Sequence, residues 1–380
     1  MTPRVLFVTH SGVLGGGELS LLDIARHHAQ RAAVVLFADG PFRKRLEREG
    51  VATHVLLLSE STRGVRRERP WPSLASLVGV LSAARRLALQ ARSYELIYAN
   101  SQKAFVVASF AGFLSRRPVI WHLRDILSEE HFSRTNIKLV VQLANWLVAR
   151  VIANSQATAD AFVRSGGRKD KVRVVHNGID ATPFSANEPV AVTQRAALGI
   201  GSAPLVGAFS RLSQWKGQHV LLDALSSLPG VHAIFVGEAL FGEESYADEL
   251  RKRADRLGVR NRVHFLGFRE DIPRLMCMVD VVAHTSVSPE PFGRVIVEGM
   301  LAGRPVIASR AGGAMEIIRD GVTGVLVEPN DGSALAAAII SLLGTARGAR
   351  IGAAGQAEAW ARFTVEQMLA GVTSVIREIA

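Results

Sequence analysis

Residues 204–217 read PLVGAFSRLSQWKG. An apolar run over 204–209 is followed by a polar loop that carries Arg211 and Lys216, and a helical pattern begins after Gly217. A strand, a loop and a helix in this order form the repeating unit of parallel sheets that are covered by helices on both faces. The stretch therefore predicts an α/β fold.

The same unit recurs in two series along the chain. Strands are predicted near 4–9, 32–38, 51–58, 95–99, 118–122, 150–153 and 172–175, and then near 204–209, 231–236, 262–265, 279–283, 305–308 and 324–327. A polar stretch over 176–190 separates the series and contains the breakers Pro183 and Pro189. We predict a Rossmann-like domain over 1–184, a second over 185–363, and a C-terminal helix over 364–380 that packs back on the first.

Composition limits the class of protein. The longest apolar stretch, 104–114, lies between Lys103 and Arg116, so it predicts a buried helix and not a membrane span. The N-terminus lacks the pattern of a signal peptide, and the single cysteine, Cys277, is consistent with a reducing compartment. We expect a cytoplasmic protein, either free or peripheral on the inner face of the cytoplasmic membrane.

Charge is distributed unevenly along the chain. Residues 1–190 carry 26 Lys and Arg against 15 Asp and Glu, which accounts for the whole net charge of +11. Such asymmetry predicts an anionic partner for the N-terminal half. Nucleic acid is disfavoured, because aromatic residues make up only 6% of the chain and are not interleaved with the basic ones.

Ligands of open parallel sheets bind beyond the carboxyl ends of the strands. After strand 204–209, Arg211 and Lys216 in one loop suit a diphosphate, and the alternative is an ordinary solvated loop. After strand 231–236, Gly237 permits close approach of the backbone to a ligand. Phe268 follows the next strand and suits the wall of a base site.

Residues 288–299 combine an anion site with two carboxylates. A helix that starts near Gly293 offers free N–H groups to a phosphate. Glu290 lies before this helix and Glu298 lies within it, among apolar residues. The two carboxylates suit hydroxyl groups at the two ends of a nucleotide sugar, whereas the alternative for Glu298 is a buried carboxylate with a structural partner.

The first series offers a glycine-rich loop and a histidine. Residues 11–18 (SGVLGGGE) join a strand to a helix, but they match neither G-x-G-x-x-G nor a P-loop, which disfavours a dinucleotide or ATP site. His122 ends strand 118–122 and is either structural or directed toward a ligand cleft that the two domains share.

Together these residues resemble the retaining glycosyltransferases of family 4, also called group 1, which have the two-domain GT-B fold. The most specific element is the E-x7-E pattern of residues 290–298 within PEPFGRVIVEGMLAGRPVIAS. Supporting motifs occur in family order: GGGE (15–18), WHLRD (121–125), ANS (153–155), HNGID (176–180), SRLSQWKG (210–217), FVG (235–237) and FLGF (265–268).

The resemblance implies roles for these residues. Arg211 and Lys216 grip the donor diphosphate, Glu290 holds the transferred sugar, and His122 meets that sugar from the N-terminal domain. The wider donor site comprises Gly16, Gly17, Gly237, Phe268, Phe292, Gly293, Arg294, Val295 and Glu298, with Glu298 on the ribose. Residues 237–240 read GEAL where many members have G-x-G-P, so no phosphate contact is carried over there.

The resemblance also implies the reaction: a hexose-type sugar moves from a nucleotide-diphosphate donor with retention of configuration, by front-face attack. The sequence has no D-x-D pattern for a divalent metal. We therefore expect fixed cations and a helix N-terminus to neutralise the leaving diphosphate, with no metal or other cofactor and the nucleotide sugar as co-substrate.

Residues 62–72 (TRGVRRERPWP) bear on the acceptor. Arg63, Arg66, Arg67, Arg69 and Trp71 form either an interfacial patch for anionic lipid, together with Arg85, Arg86, Arg116 and Arg117, or a solvated loop. A patch for anionic lipid predicts a lipid-linked saccharide or glycolipid acceptor in envelope polysaccharide synthesis. The alternatives are a soluble acceptor, or a protein that binds nucleotide sugars without catalysis.

Overall fold

The computed structural model describes residues 3–58, 74–184, 195–240 and 242–379. Contacts divide the chain into two compact units, Met1–Gly178 with Val365–Ala380, and Ile179–Thr364. The predicted arginine patch at Arg63, Arg66, Arg67, Arg69 and Trp71 lies outside the described residues. Each unit is built on one parallel sheet, which confirms the α/β prediction.

The first unit contains a 7-stranded sheet in the order β3-β2-β1-β4-β5-β6-β7. Its strands are β1 (Val5–Thr9), β2 (Ala32–Leu36), β3 (Ala52–Val55), β4 (Leu96–Ala99), β5 (Val119–Leu123), β6 (Arg150–Ala153) and β7 (Val172–Val174). All neighbours pair in parallel. The strand order reverses beside β1, and in open sheets ligands bind at such a reversal.

Helices cover both faces of this sheet. They are α1 (Gly16–His27), α2 (Pro41–Arg48), α3 (Leu74–Ala91), α4 (Gln102–Ser115), α5 (Arg134–Leu147), α6 (Gln156–Arg164) and the C-terminal Val365–Ile379. Successive residues of β1 point to opposite faces. Leu6 and Val8 belong to the core under α3, α4 and α5, whereas Val5 and Phe7 belong to the core under α1, α2 and the C-terminal helix.

The second unit contains a 6-stranded parallel sheet in the order β10-β9-β8-β11-β12-β13. Its strands are β8 (Leu205–Phe209), β9 (His232–Val236), β10 (Val263–Gly267), β11 (Val281–His284), β12 (Val306–Ser309) and β13 (Val325–Val327). Its helices are α7 (Gln218–Ser226), α8 (Glu244–Arg256), α9 (Ile272–Met278), α10 (Arg294–Leu301), α11 (Ala314–Ile317), α12 (Gly332–Leu342) and α13 (Ala346–Arg362). The C-terminal helix Val365–Ile379 is α14.

In the second unit, too, successive side chains of a strand point to opposite faces of the sheet and so belong to two separate parts of the core. Leu205 and Phe209 of β8 face the cluster that contains α9 and α10, while Val206 and Ala208 face the cluster that contains α7, α8 and α12. Because both faces are covered, the strands are apolar at nearly every position rather than at every second one. This explains why short apolar runs indicated the strands.

Helix α14 returns the chain to the first unit. Met368, Val372 and Ile376 belong to the same buried cluster as Phe7. At its end, the Glu378 carboxylate accepts hydrogen bonds from Arg173 of the edge strand β7 at 2.6 Å and from Arg150 of β6 at 3.2 Å. These ion pairs are partly exposed, so apolar packing supplies most of the stabilisation.

All thirteen predicted strands are present, with differences at their ends and in one helix. Strand β3 is shorter than the predicted 51–58, and Leu57 is 52% exposed, because β3 lies at the sheet edge. The prediction of a buried helix over 104–114 is wrong at its C-terminal end. Helix α4 buries Phe105 and Ala108 but leaves Phe113 71% exposed, since only one side of the helix faces the sheet.

Within the described part of the chain, no single helix has both the length and the apolar composition of a membrane span. The one pair that reaches this length together, Gly332–Leu342 with Ala346–Arg362, bends by 95° at its junction.

Candidate active site

The loop after β8 brings both Arg211 and Lys216 close to the ring of one tryptophan, Trp215. The Lys216 ammonium lies 4.0 Å from the ring centroid of Trp215, and the Arg211 guanidinium carbon lies 5.9 Å from it. Both cations therefore lie at the carboxyl edge of the second sheet. Neither is only a solvated loop residue, because each also pairs with a carboxylate.

The backbone of this loop is held against the segment after β11. The Thr285 hydroxyl donates to the Lys216 carbonyl at 3.0 Å, and the Val287 N–H donates to the Trp215 carbonyl at 2.8 Å. Gly217 completes the contact in the left-handed region, at φ 67°, with no room for a side chain. Lys216 is thus placed by main-chain contacts on both sides.

Gly217→Ala is expected to destabilise the chain by about 2–4 kcal/mol, because a Cβ would lie 2.0 Å from the Thr285 carbonyl oxygen. Gly230→Ala is the matched control: its φ is 75°, but nothing lies within 4 Å of its Cβ position, so about 1 kcal/mol is expected. Urea unfolding of both variants measures the difference. Equal losses would show that the loop can shift away from Thr285.

Glu290 lies at the centre of a buried polar cluster. Its Oε2 accepts a hydrogen bond from Lys216 Nζ at 2.6 Å and one from the Ser286 hydroxyl at 3.2 Å, and it lies 3.3 Å from His284 Nε2. Burial alone would raise the pKa of this carboxyl. The Lys216 ammonium and the His284 contact outweigh burial and hold the pKa well below its usual range. Glu290 is therefore an ionised acceptor.

His284 and Ser286 belong to this cluster but were not predicted from the sequence. His284 is the last residue of β11, and Ser286 follows two positions later, so the rule that ligand groups follow strand ends would have included them. Their hydroxyl and imidazole contact each other at 3.3 Å as well as Glu290. They fix the orientation of the carboxylate.

Helix α10 begins at the predicted place. Its N-cap is Gly293, which has φ 100° and no side chain to cap the first N–H groups. A Cβ on Gly293 would lie 2.8 Å from Ile296 and 3.7 Å from the side chain of Glu290. The uncapped helix end therefore lies next to the Glu290 cluster, and its N–H groups and dipole favour an anion there.

Glu298 lies one turn into α10 and has a structural partner. Arg294 Nη2 is 3.5 Å from Glu298 Oε1, and the two side chains are only 17% and 16% exposed. Burial raises the pKa of the Glu298 carboxyl, and Arg294 opposes this only in part. A buried carboxylate with one loose ion pair retains capacity to accept hydrogen bonds from a ligand.

The other predicted donor residues are distributed around this edge. Gly237 lies at φ 136°, where a Cβ would be 2.2 Å from the Ser210 carbonyl oxygen, so the loops after β8 and β9 touch. Phe268 is 59% exposed beyond β10. The side chain of Phe292 is buried in the core, and Val295 packs against the same cluster, so only their backbones are positioned for a ligand.

A second carboxylate faces the loop of Arg211. Glu243 Oε2 lies 3.9 Å from Arg211 Nε, and the Ser213 hydroxyl donates to the same carboxylate. Glu243 follows the GEAL segment that departs from the family pattern. Arg211 is one-third exposed and its ion pair is long, so the pair adds little stability.

In the first unit, His122 is buried at the end of β5 within a polar network. Arg124 donates to Asn100 Oδ1 at 2.7 Å, to Asn177 Oδ1 at 2.8 Å and, from Nη2, to His122 Nδ1 at 3.2 Å. The hydroxyl of Tyr98 contacts the same Nδ1. His122 is therefore not an isolated structural histidine.

The protonation state of His122 follows from these contacts. A guanidinium has only N–H groups and cannot accept, so Nδ1 must accept and the ring proton lies on Nε2. Burial, and then the charge of Arg124, hold the pKa of His122 well below its ordinary value. Nε2 is itself buried and has no hydrogen-bond partner among the described residues. The ring is thus a neutral Nε2–H donor.

The glycine-rich loop adjoins this network. Asn100 Nδ2 donates to the Gly17 carbonyl at 3.1 Å, and a Cβ on Gly17 would lie 3.1 Å from the Arg124 side chain. Gly16, the first residue of α1, is exposed. Burial raises the pKa of the Glu18 carboxyl, while Arg124 opposes the shift. The predicted Gly16 and Gly17 therefore lie in the same unit and at the same sheet edge as His122.

Two family descriptions match the chain. Glycosyltransferase family 4 covers residues 14–182, and glycosyl transferases group 1 covers residues 192–356. Anabaena Alr3699/HepE, solved in complex with UDP-glucose, is 45% identical, with a TM-score of 0.91 over 99% of this chain and 100% of that chain. The same protein in complex with UDP and glucose is 44% identical over 99% of both chains, also with a TM-score of 0.91.

Curated relatives match over shorter regions. D-inositol 3-phosphate glycosyltransferase of Mycobacterium sp. (strain JLS) is 37% identical over 198 residues, which are 51% of this chain and 44% of that protein. The lipopolysaccharide core biosynthesis glycosyltransferase LpsE of Rhizobium meliloti (strain 1021) is 35% identical over 190 residues, or 50% and 52%. The chain thus spans about half the length of the curated relatives it matches. It belongs to the family 4, or group 1, glycosyltransferases and has their two-sheet GT-B fold.

Proposed function

We propose that this protein is a retaining glycosyltransferase that moves a hexose, with UDP-glucose as the first donor to test, onto an acceptor hydroxyl. The observation that carries the proposal is the buried Lys216–Glu290 pair beside the uncapped N-terminus of α10. It places a cation, a helix dipole and an ionised acceptor within one cluster. The UDP-glucose complex of Anabaena HepE supports the choice of donor.

The chemistry assigned to these groups is electrostatic. When the bond between the anomeric carbon and the diphosphate oxygen breaks, negative charge develops on the diphosphate. Lys216, Arg211 and the N–H groups after Gly293 are proposed to stabilise that charge. The acceptor oxygen bonds to the anomeric carbon on the same face, and its proton passes to the departing diphosphate oxygen.

Glu290 is proposed to hold sugar hydroxyls rather than to attack carbon. Its Oε2 already accepts from Lys216 and Ser286 and contacts His284, so its lone pairs serve hydrogen bonding. Glu298 is proposed to accept from the ribose hydroxyls. His122 is proposed to donate its Nε2–H to the transferred sugar, as its fixed tautomer permits. Cationic side chains in place of a metal make the reaction metal-independent in this proposal.

For the acceptor we propose a lipid-linked saccharide or glycolipid in envelope polysaccharide synthesis, reached from the cytoplasmic side by a peripheral enzyme. The basic N-terminal half and the relative named for lipopolysaccharide core biosynthesis support this choice. The inositol phosphate glycosyltransferases among the relatives favour the second candidate, a soluble hydroxylated acceptor. Turnover of a panel of both acceptor types separates them.

Donor binding is tested by thermal shift without metal against UDP-, GDP-, ADP- and dTDP-sugars. We expect UDP-glucose at about 100 times its Kd to raise Tm by roughly 5 °C, through mass action. Glu298→Gln should reduce that shift while leaving the unliganded protein at least as stable. Burial raises the pKa of Glu298 in the folded state, so ionisation of this carboxyl lowers the free energy of unfolding as pH rises above the acid range. A neutral glutamine avoids this loss.

Glu328→Gln serves as the control in the same unit, because its side chain is 70% exposed. It should leave the UDP-glucose shift unchanged. A full shift in Glu298→Gln would remove this residue from the donor site. Donor binding without turnover of any acceptor or of water would favour a non-catalytic sugar-nucleotide binder.

A further inference from the structure

An exposed apolar surface lies in the first unit, away from the His122 network. Trp146 is 81% exposed, Phe113 is 71% exposed and Leu114 is 48% exposed. These residues line one shallow hollow together with Arg116 and Arg117. We call Phe113, Leu114, Arg116, Arg117 and Trp146 the aromatic–arginine surface. Single exposed apolar residues are ordinary, but a contiguous group of this kind indicates an interaction site.

The topology places this surface at the opposite edge of the sheet from His122. Phe113 to Arg117 lie at the end of α4, just before β5, and Trp146 lies near the end of α5, a few residues before β6. They therefore lie toward the amino ends of these parallel strands. His122 and Arg124 lie at the carboxyl end of β5. The surface therefore lies apart from the His122 network.

Two features keep the arginines at this surface. Arg117 donates from Nη2 to the Arg92 carbonyl at 3.0 Å, which ties the end of α4 to the segment after α3. Arg116 is the C-cap of α4 and has φ 55°, a left-handed conformation in which glycine is the usual residue. An exposed arginine occupies this strained position, and among the residues that the structure describes no carboxylate lines the hollow.

We propose that the aromatic–arginine surface binds the interface of an anionic lipid bilayer. Tryptophan and phenylalanine side chains insert at the boundary between headgroups and acyl chains, and guanidinium groups pair with lipid phosphates. An anionic bilayer also matches the charge of the half that carries the whole net charge of +11. The inference deepens the membrane part of the proposed function and is independent of the transfer chemistry.

The experiment is co-flotation of the full chain at low salt with vesicles of phosphatidylcholine alone and of phosphatidylcholine mixed with phosphatidylglycerol. We expect binding only to the anionic vesicles, weakened by salt. The partition constant onto anionic vesicles should fall about tenfold or more in each of two variants, Phe113→Ser/Trp146→Ser and Arg116→Glu. Trp360→Ser is the matched control: it removes a tryptophan 46% exposed in the second unit and should leave binding unchanged.

Turnover of UDP-glucose, in hydrolysis or with a soluble acceptor, is measured on the same samples. Lost flotation with unchanged turnover supports the inference. Equal flotation of the wild type and of both surface variants, or no flotation of the wild type, overturns it. A dimer in solution that dissociates in Phe113→Ser/Trp146→Ser also overturns it, in favour of a protein interface. Failure of turnover in every sample defeats the proposed enzyme function and leaves the lipid result interpretable.

Discussion

Lys216→Ala is expected to lower kcat for sugar transfer by about 10³-fold, the loss typical of removing one preorganised group from a developing anion. The variant also leaves the Glu290 carboxylate in a buried site without the ammonium that lies 2.6 Å away. Breaking a buried pair in this way costs about 3–5 kcal/mol. Steady-state kinetics and thermal unfolding of the same sample measure both effects.

The pH dependence distinguishes the two effects. In the wild type the pKa of Glu290 is held below its usual range. The Lys216–Glu290 pair therefore contributes its full stabilisation at pH values above the ordinary pKa of a glutamate, and this stabilisation is lost only as pH falls into strong acid. Without the Lys216 ammonium, burial of the Glu290 carboxyl dominates and its pKa rises. The free energy of unfolding of Lys216→Ala should therefore fall as pH rises from about 5 to 8, which is the opposite pH dependence to that of the Lys216–Glu290 pair in the wild type.

The double variant Lys216→Met/Glu290→Gln is the control. It removes both charges and should recover much of the lost Tm, because a neutral pair leaves no uncompensated buried charge. It should recover none of the lost kcat. If kcat recovers together with Tm, the ion pair is structural and Lys216 does not act on the leaving diphosphate.

His122→Ala is expected to lower kcat/KM by about 10²-fold, because it removes a preorganised Nε2–H donor from a water-poor site. His122→Gln retains an N–H near that position and should lose less. Tyr98→Phe keeps the ring and its packing against Phe7 at 5.1 Å but removes one of the two donors to Nδ1. About a fivefold loss is expected from one hydrogen bond.

A spectroscopic measurement separates positioning from general damage to the core. Side-chain ¹⁵N signals of His122, assigned with His122→Gln, should show the neutral Nε2–H tautomer throughout the neutral pH range. Tyr98→Phe should broaden or shift these signals without lowering Tm in proportion. A wild-type Nδ1–H tautomer or an imidazolium signal would contradict the donor role and would return His122 to the status of a candidate base.

The predicted elements followed from local chemistry. Runs such as 205–209 and 232–236 are apolar at nearly every position because both faces of each sheet are covered by helices, and glycine or polar residues interrupt them where the chain turns. The predicted elements were wrong where a strand or helix is not covered on all sides. Strand β3 has one neighbour and is partly exposed, and the last turn of α4 packs on the sheet at Gly112 but leaves Phe113 exposed on another side.

Part of the candidate site was predicted from the sequence, but its contacts were not. Position after a strand end identified Lys216 and Glu290, yet their ion pair joins residues 74 positions apart. Tyr98 resembled a core residue of an apolar strand, and His284 follows a predicted strand. Neither spacing nor composition showed that their polar atoms contact His122 and Glu290. The departure at 237–240 gave no indication that Glu243 faces Arg211.

The amino-acid order of this chain specifies two series of strands and helices and the few polar residues that follow each strand, because solvent exposure and backbone preference act on neighbouring residues. It leaves open which of those polar groups meet. Lys216 meets Glu290 because β8 pairs with β11. Tyr98 meets His122 because β4 pairs with β5. Ionisation and tautomer follow from those long-range neighbours, since the energy of a buried charge depends on every group packed around it.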